Sequence, residues 1–504
     1  MIAPAFPGFG MDRTAPAPKP LREHQLRAIG MLRQSLRSGA KRAVVAMPTG
    51  AGKTRTAAEI VNGALAKGNR VAFTVPAISL VDQTVEAFEG EGIEAIGVMQ
   101  ASHARTDRRQ PVQVVSVQTL GRRARPDADV VIVDECHMQF RPVLEWMKAE
   151  PDTVFIGLSA TPWARGMADD WQDLLVPVRT AELIERGFLS PFRVFAPTHP
   201  DMSGVRIGRD GDYDKGQAGE VMGGLVADVV STWIERGQGL PTLVFAVDRA
   251  HAALLVEQFA GAGVRMGYCD AHTDLVERKL LFARMARGEL AGIVNIGTLT
   301  TGVDADVRCV VLARPTRSEM LFVQMIGRGL RTALGKAECL ILDHADNHAR
   351  LGFVTDINHD RLLSGRDKRK ATAKERGEAL PKECPSCGIL KPAKVRSCPG
   401  CGFQPARQSS IEVEDGELIE ITRGATAAKK SAATMAEKQR FWSMARFVDA
   451  QRAKGGKLAK ALYRGKFGVW PQGLSDMPTE PDGAFLSYER SRRIAYAKSK
   501  AAAR

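Results

Sequence analysis

The octapeptide Met47-Pro48-Thr49-Gly50-Ala51-Gly52-Lys53-Thr54 constrains this chain more than any other stretch. The apolar run Ala43-Val44-Val45-Ala46 before it reads as a buried strand, and Arg55 to Val61 after it reads as a helix. A strand, a tight glycine turn and a helix opening at Lys53-Thr54 form a P-loop, in which backbone N–H groups and a helix N-terminus meet phosphate oxygens. Gly50 and Gly52 let the backbone pass close to a triphosphate. Thr49, Gly50, Ala51 and Gly52 would form the cradle, Lys53 would reach the β- and γ-phosphates, and the Thr54 hydroxyl would bind Mg²⁺. Met47 stands where the general pattern has glycine.

The chain has 504 residues, enough for about three domains. No run of 18 or more apolar residues occurs, which argues against a membrane-spanning helix. Residues 1–20 are rich in Pro, Ala and Gly and read as a flexible N-terminus without the features of a signal peptide. The net charge of +14 is unevenly spread: residues 421–504 hold 18 Lys and Arg against 6 Asp and Glu. A basic end on a nearly neutral body points to a polyanion such as nucleic acid, the alternative being a basic face kept for solubility. Of eight cysteines, Cys384, Cys387, Cys398 and Cys401 are clustered. With no secretion signal, metal binding in a reducing cytoplasm is the expectation rather than disulfides.

Residues 21–38 have an amphipathic helical pattern, with Leu21, Leu26, Ile29, Met31, Leu32 and Leu36 on the apolar side. Gln25, placed ahead of the P-loop strand, offers an amide donor and acceptor that suit an adenine edge. Downstream, Val71–Val75, Val112–Val117, Val130–Val133 and Val154–Leu158 are short apolar runs separated by helical segments, the pattern of a parallel sheet covered on both faces. The third run ends in Asp134-Glu135-Cys136-His137, delivering adjacent carboxylates. Asp134 can hold Mg²⁺ while Glu135 orients and deprotonates an attacking water. The fourth run ends in Ser159-Ala160-Thr161-Pro162.

In this order, Gln25, MPTGAGKT, DECH and SATP resemble the first motor domain of a superfamily 2 DExH-type helicase. The resemblance implies two tandem RecA-like domains, with Pro76–Leu80 and Gln118–Leu120 on the nucleic-acid backbone. A second alternating block, from Leu243 to Leu342, carries two further segments of that kind. Thr300-Thr301-Gly302-Val303-Asp304 resembles motif V, which puts Asp304 at the nucleotide site. Gln324 to Arg331 resembles motif VI. Three residues apart, Arg328 and Arg331 are expected on one helical face, where they could stabilise γ-phosphoryl charge from across a cleft.

Two C-x2-C knuckles at Cys384/Cys387 and Cys398/Cys401, each followed by glycine, suit one tetrahedral Zn²⁺, the alternatives being an iron–sulfur cluster or a redox pair. Residues 411–421 alternate around Asp415-Gly416 like a small hairpin. Beyond a Lys/Ala/Thr-rich linker, two helical segments interleave Phe441, Trp442, Phe447, Phe467 and Trp470 with Lys and Arg. Those aromatics can stack on bases or form the core of a small helical domain. Motor block, four-cysteine knuckle and basic Lys-Gly, Phe-Gly, Trp-Pro segment together resemble RadD-type DNA-repair helicases of bacteria and their phage relatives.

The expected fold is α/β: two RecA-like parallel-sheet domains, a zinc-knuckle module and a basic helical C-terminal region. The expected divisions are 1–20 N-terminus, 21–190 first motor domain, 191–240 connection, 241–350 second motor domain, 351–382 charged linker, 383–421 zinc module and 422–504 basic region. The resemblance implies an ATP-dependent DNA helicase or translocase using Mg²⁺ and acting on single-stranded, forked or branched DNA. Single-strand-binding or recombination proteins are candidate partners. The alternatives are the ATPase subunit of a restriction-type translocating complex, an RNA helicase, or a nucleic-acid-binding protein without turnover.

Overall fold

The computed structural model describes residues 20–100, 103–208, 210–297, 299, 305–367, 381–392, 395, 397–404, 434–452, 455–467, 469–483, 485, 486, 488, 489, 492 and 493. Asp304 with the rest of the motif V segment Thr300–Asp304, and the hairpin expected at 411–421, lie outside the described residues. The chain divides into two units, residues 1–407 and 408–504.

The first unit holds two parallel sheets. In the first domain β1 (Arg42–Ala46), β2 (Val71–Val75), β3 (Ile96–Met99), β4 (Val112–Ser116), β5 (Val130–Asp134), β6 (Val154–Ser159) and β7 (Asp173–Leu175) lie in the order β3-β4-β2-β5-β6-β1-β7. Their near-continuous Val/Ile runs are buried on both faces, because helices cover each side. Register is exemplified by Val45 opposite Leu158, which aligns the ends of β1 and β6 at the glycine loop. Carboxyl ends of parallel strands are where ligands bind in such sheets.

The second sheet contains β8 (Phe192–Phe195), β9 (Thr242–Phe245), β10 (Met266–Cys269), β11 (Gly292–Asn295), β12 (Cys309–Leu312) and β13 (Cys339–Asp343), in the order β10-β11-β9-β12-β13-β8. The stretch 191–240, expected as a connection, supplies edge strand β8, which pairs with β13 (Phe195 opposite Leu342). It also supplies the helix Val226–Arg236, whose Val229, Val230 and Trp233 join the second domain's core. Trp233 donates its indole N–H to Thr242 Oγ1 at 2.8 Å, so the buried ring leaves no polar atom stranded.

Helix α1 (Glu23–Arg37) turns differently from its expected apolar side. His24, Gln25, Ala28, Ile29, Leu32 and Ser35 are buried, whereas Leu26 is 57% exposed. The polar pair faces inward because the glycine loop offers it carbonyl partners.

In the second unit the helices Met435–Gln451 and Lys457–Phe467 pack Phe441, Trp442, Met444, Val448, Leu462 and Tyr463 into a core of their own. Thr434 and Glu437 form a reciprocal capping box on the first helix. Buried Asp449 accepts N–H groups from Gly456 (2.6 Å) and Ala459 (2.9 Å), fixing the start of the second. Of the two readings of these aromatics, Phe441 and Trp442 are core residues; Trp470 is 52% exposed.

Candidate nucleotide site

The glycine loop leaves β1 and enters helix α2 (Lys53–Leu65) through Gly50 and Gly52, both at φ +85°, a left-handed conformation that favours glycine. No side chain caps the start of α2, so its first-turn N–H groups are open to an anion. Met47, the departure from the general pattern, is fully buried beneath the loop and is thus a packing residue.

His24 Nε2 lies 2.9 Å from the Ala51 carbonyl, and Gln25 Nε2 donates to the Gly52 carbonyl at 3.3 Å. Gln25 Oε1 accepts the Arg22 N–H at 2.8 Å. The Gln25 amide, expected to face adenine, is therefore engaged with the protein at both ends and props the loop from behind. Ala51 is likewise buried.

A cavity of about 460 Å³ opens in front of the loop, lined by Thr49, Gly50, Gly52, Lys53 and Thr54. Asp134 and Glu135 enter it from the carboxyl end of β5, and Arg328, Arg331 and Thr332 from the second domain. Arg22 and Phe188 form a flank that sequence reasoning missed: the guanidinium lies 4.7 Å from the ring centroid. A cation over an aromatic face offers a nucleobase an apolar surface beside a positive one.

The carboxylates are set in unlike surroundings. Glu135 occupies a left-handed backbone position at φ +47°, unusual for a side-chain-bearing residue. Its Oε1 is 3.0 Å from Lys53 Nζ, and its Oε2 is 3.3 Å from His137 Nδ1. Burial alone would raise its pKa, but Lys53 and His137 hold it below the usual carboxylate range. Burial and then the Glu135 charge push Asp134 up to about 6, against the pull of Lys53. A half-buried carboxylate so disfavoured in its charged form, lining the same cavity as Thr54, is part of a donor set suited to a hard cation such as Mg²⁺.

The two domains are joined by side chains as well as by the cavity. His137 Nδ1 lies 2.8 Å from Ser159 Oγ, and Ser159 Oγ accepts the Thr161 N–H at 3.0 Å. From the second domain, Gln324 Nε2 reaches Thr161 Oγ1 at 3.2 Å and His137 Nε2 at 3.3 Å. Gln324 rides the helix Glu319–Gly329, which also carries Arg328. Arg331 departs from expectation: the helix ends at Gly329, so the two arginines do not share a helical face. Arg331 is instead held by the interdomain crossing, where Leu189 bridges it and Ser190 N–H donates to the Leu330 carbonyl at 2.7 Å. Lys336 Nζ binds the Val307 and Arg331 carbonyls, each at 2.7 Å, helping to satisfy the open end of that turn. Both arginines still meet at the cavity.

Elsewhere in the first domain, Gln118 Nε2 donates to the Pro76 carbonyl at 2.9 Å, joining the two segments expected on a nucleic-acid backbone. The four clustered cysteines have their sulfur atoms within 4.8 Å of one another. Cys384–Cys401 and Cys387–Cys398 sulfurs are each 3.7 Å apart. Bonds of about 2.3 Å to a central tetrahedral ion give edges of about 3.8 Å, whereas a disulfide needs about 2.05 Å. Gly388 and Gly402 take left-handed turns (φ +69° and +73°) and return their N–H groups to the Cys384 and Cys398 carbonyls, both at 2.9 Å. The cluster packs on the second domain: Ile389 bridges Phe195 of β8, and Cys384 and Cys398 are buried in that domain's core. No described helix is long and apolar enough to cross a membrane.

Comparison with known proteins matches residues 18–164 to the family described as type III restriction enzyme, res subunit, and residues 225–333 to the helicase conserved C-terminal domain. A 51.5 kDa protein of a Lactococcus phage is 26% identical, over 83% of this chain and 91% of its own length. The putative ATP-dependent helicase IRC3 of Saccharomyces cerevisiae is 27% identical over 64% of this chain, which spans 51% of that protein. The Escherichia coli type I restriction enzyme EcoKI endonuclease subunit is 25% identical over 66% of this chain, which spans 35% of it. A fragment of a putative HsdR subunit of a type I restriction enzyme from Vibrio vulnificus shares the fold, with a TM-score of 0.52 at 22% identity over 70% of each chain.

Proposed function

We propose that this superfamily 2 helicase-type ATPase is a DNA motor, coupling ATP hydrolysis to movement on or remodelling of DNA in repair, recombination or replication. The observation that carries the reading is the divided site. Lys53, Asp134 and Glu135 face Arg328 and Arg331 across one cavity, while Gln324 touches His137 and Thr161 of the opposite domain.

Lys53 and the open first turn of α2 would bind the ATP phosphates. Thr54 and Asp134 would hold Mg²⁺, which supplies charge neutralisation at the β- and γ-phosphates. Glu135 would take the proton of the attacking water. In the geometry seen here its pairing with Lys53 makes it a weak base. Phosphates that draw Lys53 away would raise its basicity, so the substrate itself arms the base. Arg331 and Arg328 would stabilise charge on the transferring phosphoryl group from the other domain. Closure around ATP and reopening after hydrolysis would then move the two domains against each other along a bound strand.

The basic segment 421–504 supports a nucleic-acid track, and the four-cysteine module supports a DNA-repair type of motor only through the resemblance to RadD-type helicases. In this reading Cys384, Cys387, Cys398 and Cys401 bind a structural Zn²⁺ that fastens the module to β8. A second reading, the ATPase subunit of a restriction-type translocating complex, is favoured by the likeness to the EcoKI subunit. ATPase rates with single-stranded, duplex and forked DNA and with RNA, beside a strand-displacement assay, separate the readings. Stimulation by DNA with displacement supports a helicase; stimulation without displacement supports a translocating subunit. ATPase activity indifferent to DNA would sink both.

A further inference from the structure

Beyond β13 the chain returns to the first domain. Phe353 still belongs to the second, with ring centroids 6.1 Å from Phe192 and 5.5 Å from His348. Further along, the partners change. Asp360 pairs with Arg179 at 2.8 Å, and Leu362 is buried in a core cluster of the first domain. Leu363 bridges Arg165, and its carbonyl accepts the Ala168 N–H at 3.0 Å. Gly365 donates to Asp169 at 2.9 Å and accepts from the Arg165 guanidinium at 2.8 Å. Residues 353–367 are thus a strap anchored at its two ends to different domains.

His359 sits between the anchors. Its ring stacks on Trp163, with centroids 4.5 Å apart and planes at 23°. Trp163 directly follows Ser159-Ala160-Thr161-Pro162, the segment that receives Gln324. His359 Nε2 lies 2.7 Å from Oε2 of Glu319, in the first turn of the helix that carries Gln324 and Arg328. The His359 side chain is only 7% exposed and that of Glu319 18%. A hydrogen bond to a carboxylate shielded in this way is stronger than a surface ion pair.

We propose that His359 is a positioning residue of the ATPase cycle, latching the strap, and with it the first domain, to the helix that carries Arg328. The inference rests on the ATPase reading above. Opening the cleft would separate Glu319 from His359, while the hydrogen bonds at Arg165, Asp169 and Arg179 keep the strap on the first domain. The latch therefore favours the closed spacing in which Arg328 faces the glycine loop. It adds to the closure that ATP itself must drive.

The test is steady-state ATPase of the full chain with DNA, comparing His359→Ala, Glu319→Met, the double variant and His359→Gln. The latch predicts a rise of about 10-fold in the KM for ATP for His359→Ala, with kcat changed by less than about threefold. The double variant should be no worse than His359→Ala alone, because both remove one interaction. His359→Gln, which keeps a planar donor, should recover most of the affinity. A strap that only packs would lower Tm and leave KM within about twofold of wild type, and that result overturns the proposal. If His359→Ala fails to fold, Glu319→Met, of similar size but without an acceptor for His359 Nε2, carries the comparison and should show the same rise in KM. A wild-type chain without turnover would sink the ATPase reading itself. The latch is then judged on affinity for a non-hydrolysable ATP analogue, and variants that bind it as tightly as wild type would overturn it.

Discussion

Gly327 lies against Thr49 across the interdomain cleft: a Cβ on Gly327 would stand 2.9 Å from Thr49 Cβ and 3.1 Å from its Oγ1. The arginine-bearing helix reaches the glycine loop only because that position has no side chain. Gly327→Ala is expected to push the helix back by a few tenths of an ångström and misplace Arg328. A misplacement of about 1 Å can cost about 100-fold, so this smaller shift is expected to cost up to about 10-fold in kcat/KM for ATP, and helix propensity makes alanine no worse than glycine for folding. Steady-state ATPase beside a thermal melt checks it. Unchanged kcat/KM would mean that the reacting cleft is wider than the one described.

That the glycine loop, the adjacent carboxylates and the two arginines would line one cavity was legible in the sequence, because a phosphate-binding site of the expected kind demands particular residue types at fixed spacing. What surrounds them was less so. Arg331 was expected on a helical face, yet Gly327 and Gly329 precede it and the helix stops before it. Strand β8 carries no local mark of its membership, since its partner β13 lies far along the chain. Gln25 was read from its place ahead of the loop, while its bond to the Gly52 carbonyl is a backbone partnership that no sequence pattern displays. Arg22 and Phe188 come together only through folding, and so does the strap at His359.

Glu135→Gln should separate binding from turnover. The substitution removes the carboxylate 3.0 Å from Lys53 but keeps the shape of the side chain. Nucleotide affinity is expected to persist or improve, as Lys53 is no longer held by a competing anion, while kcat falls by about 10²- to 10⁴-fold. Lys53→Ala should abolish both binding and turnover. A fluorescent ATP analogue and a phosphate-release assay report the two quantities, and normal turnover in Glu135→Gln would remove that residue from the reaction.

Acid should weaken the second domain through two buried histidines. Burial lowers His251 and His344 to about 4 each. His251 Nδ1 accepts the Val247 N–H at 3.3 Å, and His344 Nδ1 lies 3.1 Å from Thr198 Oγ1. Their folded pKa lies below the unfolded value near 6.5, so the unfolded chain binds more protons between the two. Stability is complete above about pH 6.5 and falls as pH drops toward 4, by at most about 3 kcal/mol per histidine. Denaturant melts at pH 7.5 and 5 should show the loss, and His251→Asn should shrink it. An equal loss in that variant would exclude His251 as a source.

Removing metal should act on the fold before it acts on the ATP site. Cys384 and Cys398 are buried among second-domain core residues, and Ile389 bridges β8, whereas none of the four cysteines lines the nucleotide cavity. Cys398→Ser or a strong chelator is expected to lower Tm by several degrees and to release about one Zn²⁺ per chain. Elemental analysis with a thermal melt checks this. A chain purified without zinc yet equally stable would mean that the thiols serve another purpose.

The tryptophans of the C-terminal unit should give opposite phenotypes. Trp442 is 4% exposed, its indole donating to Asp476 at 3.0 Å, and Trp442→Ala should destabilise that unit by about 3–5 kcal/mol. Trp470 is 52% exposed, with the Arg464 guanidinium 4.6 Å from its ring centroid. An exposed ring beside a cation can accept a base on its face while the arginine meets a phosphate. Trp470→Ala should therefore leave the melt unchanged and weaken single-stranded DNA binding by about 1–3 kcal/mol. Deleting residues 421–504 should weaken binding further and flatten its dependence on salt, because each lost lysine or arginine contact releases fewer counterions. Fluorescence anisotropy across a salt series measures affinity and slope together. An unchanged slope after the deletion would assign the basic segment to solubility rather than to DNA.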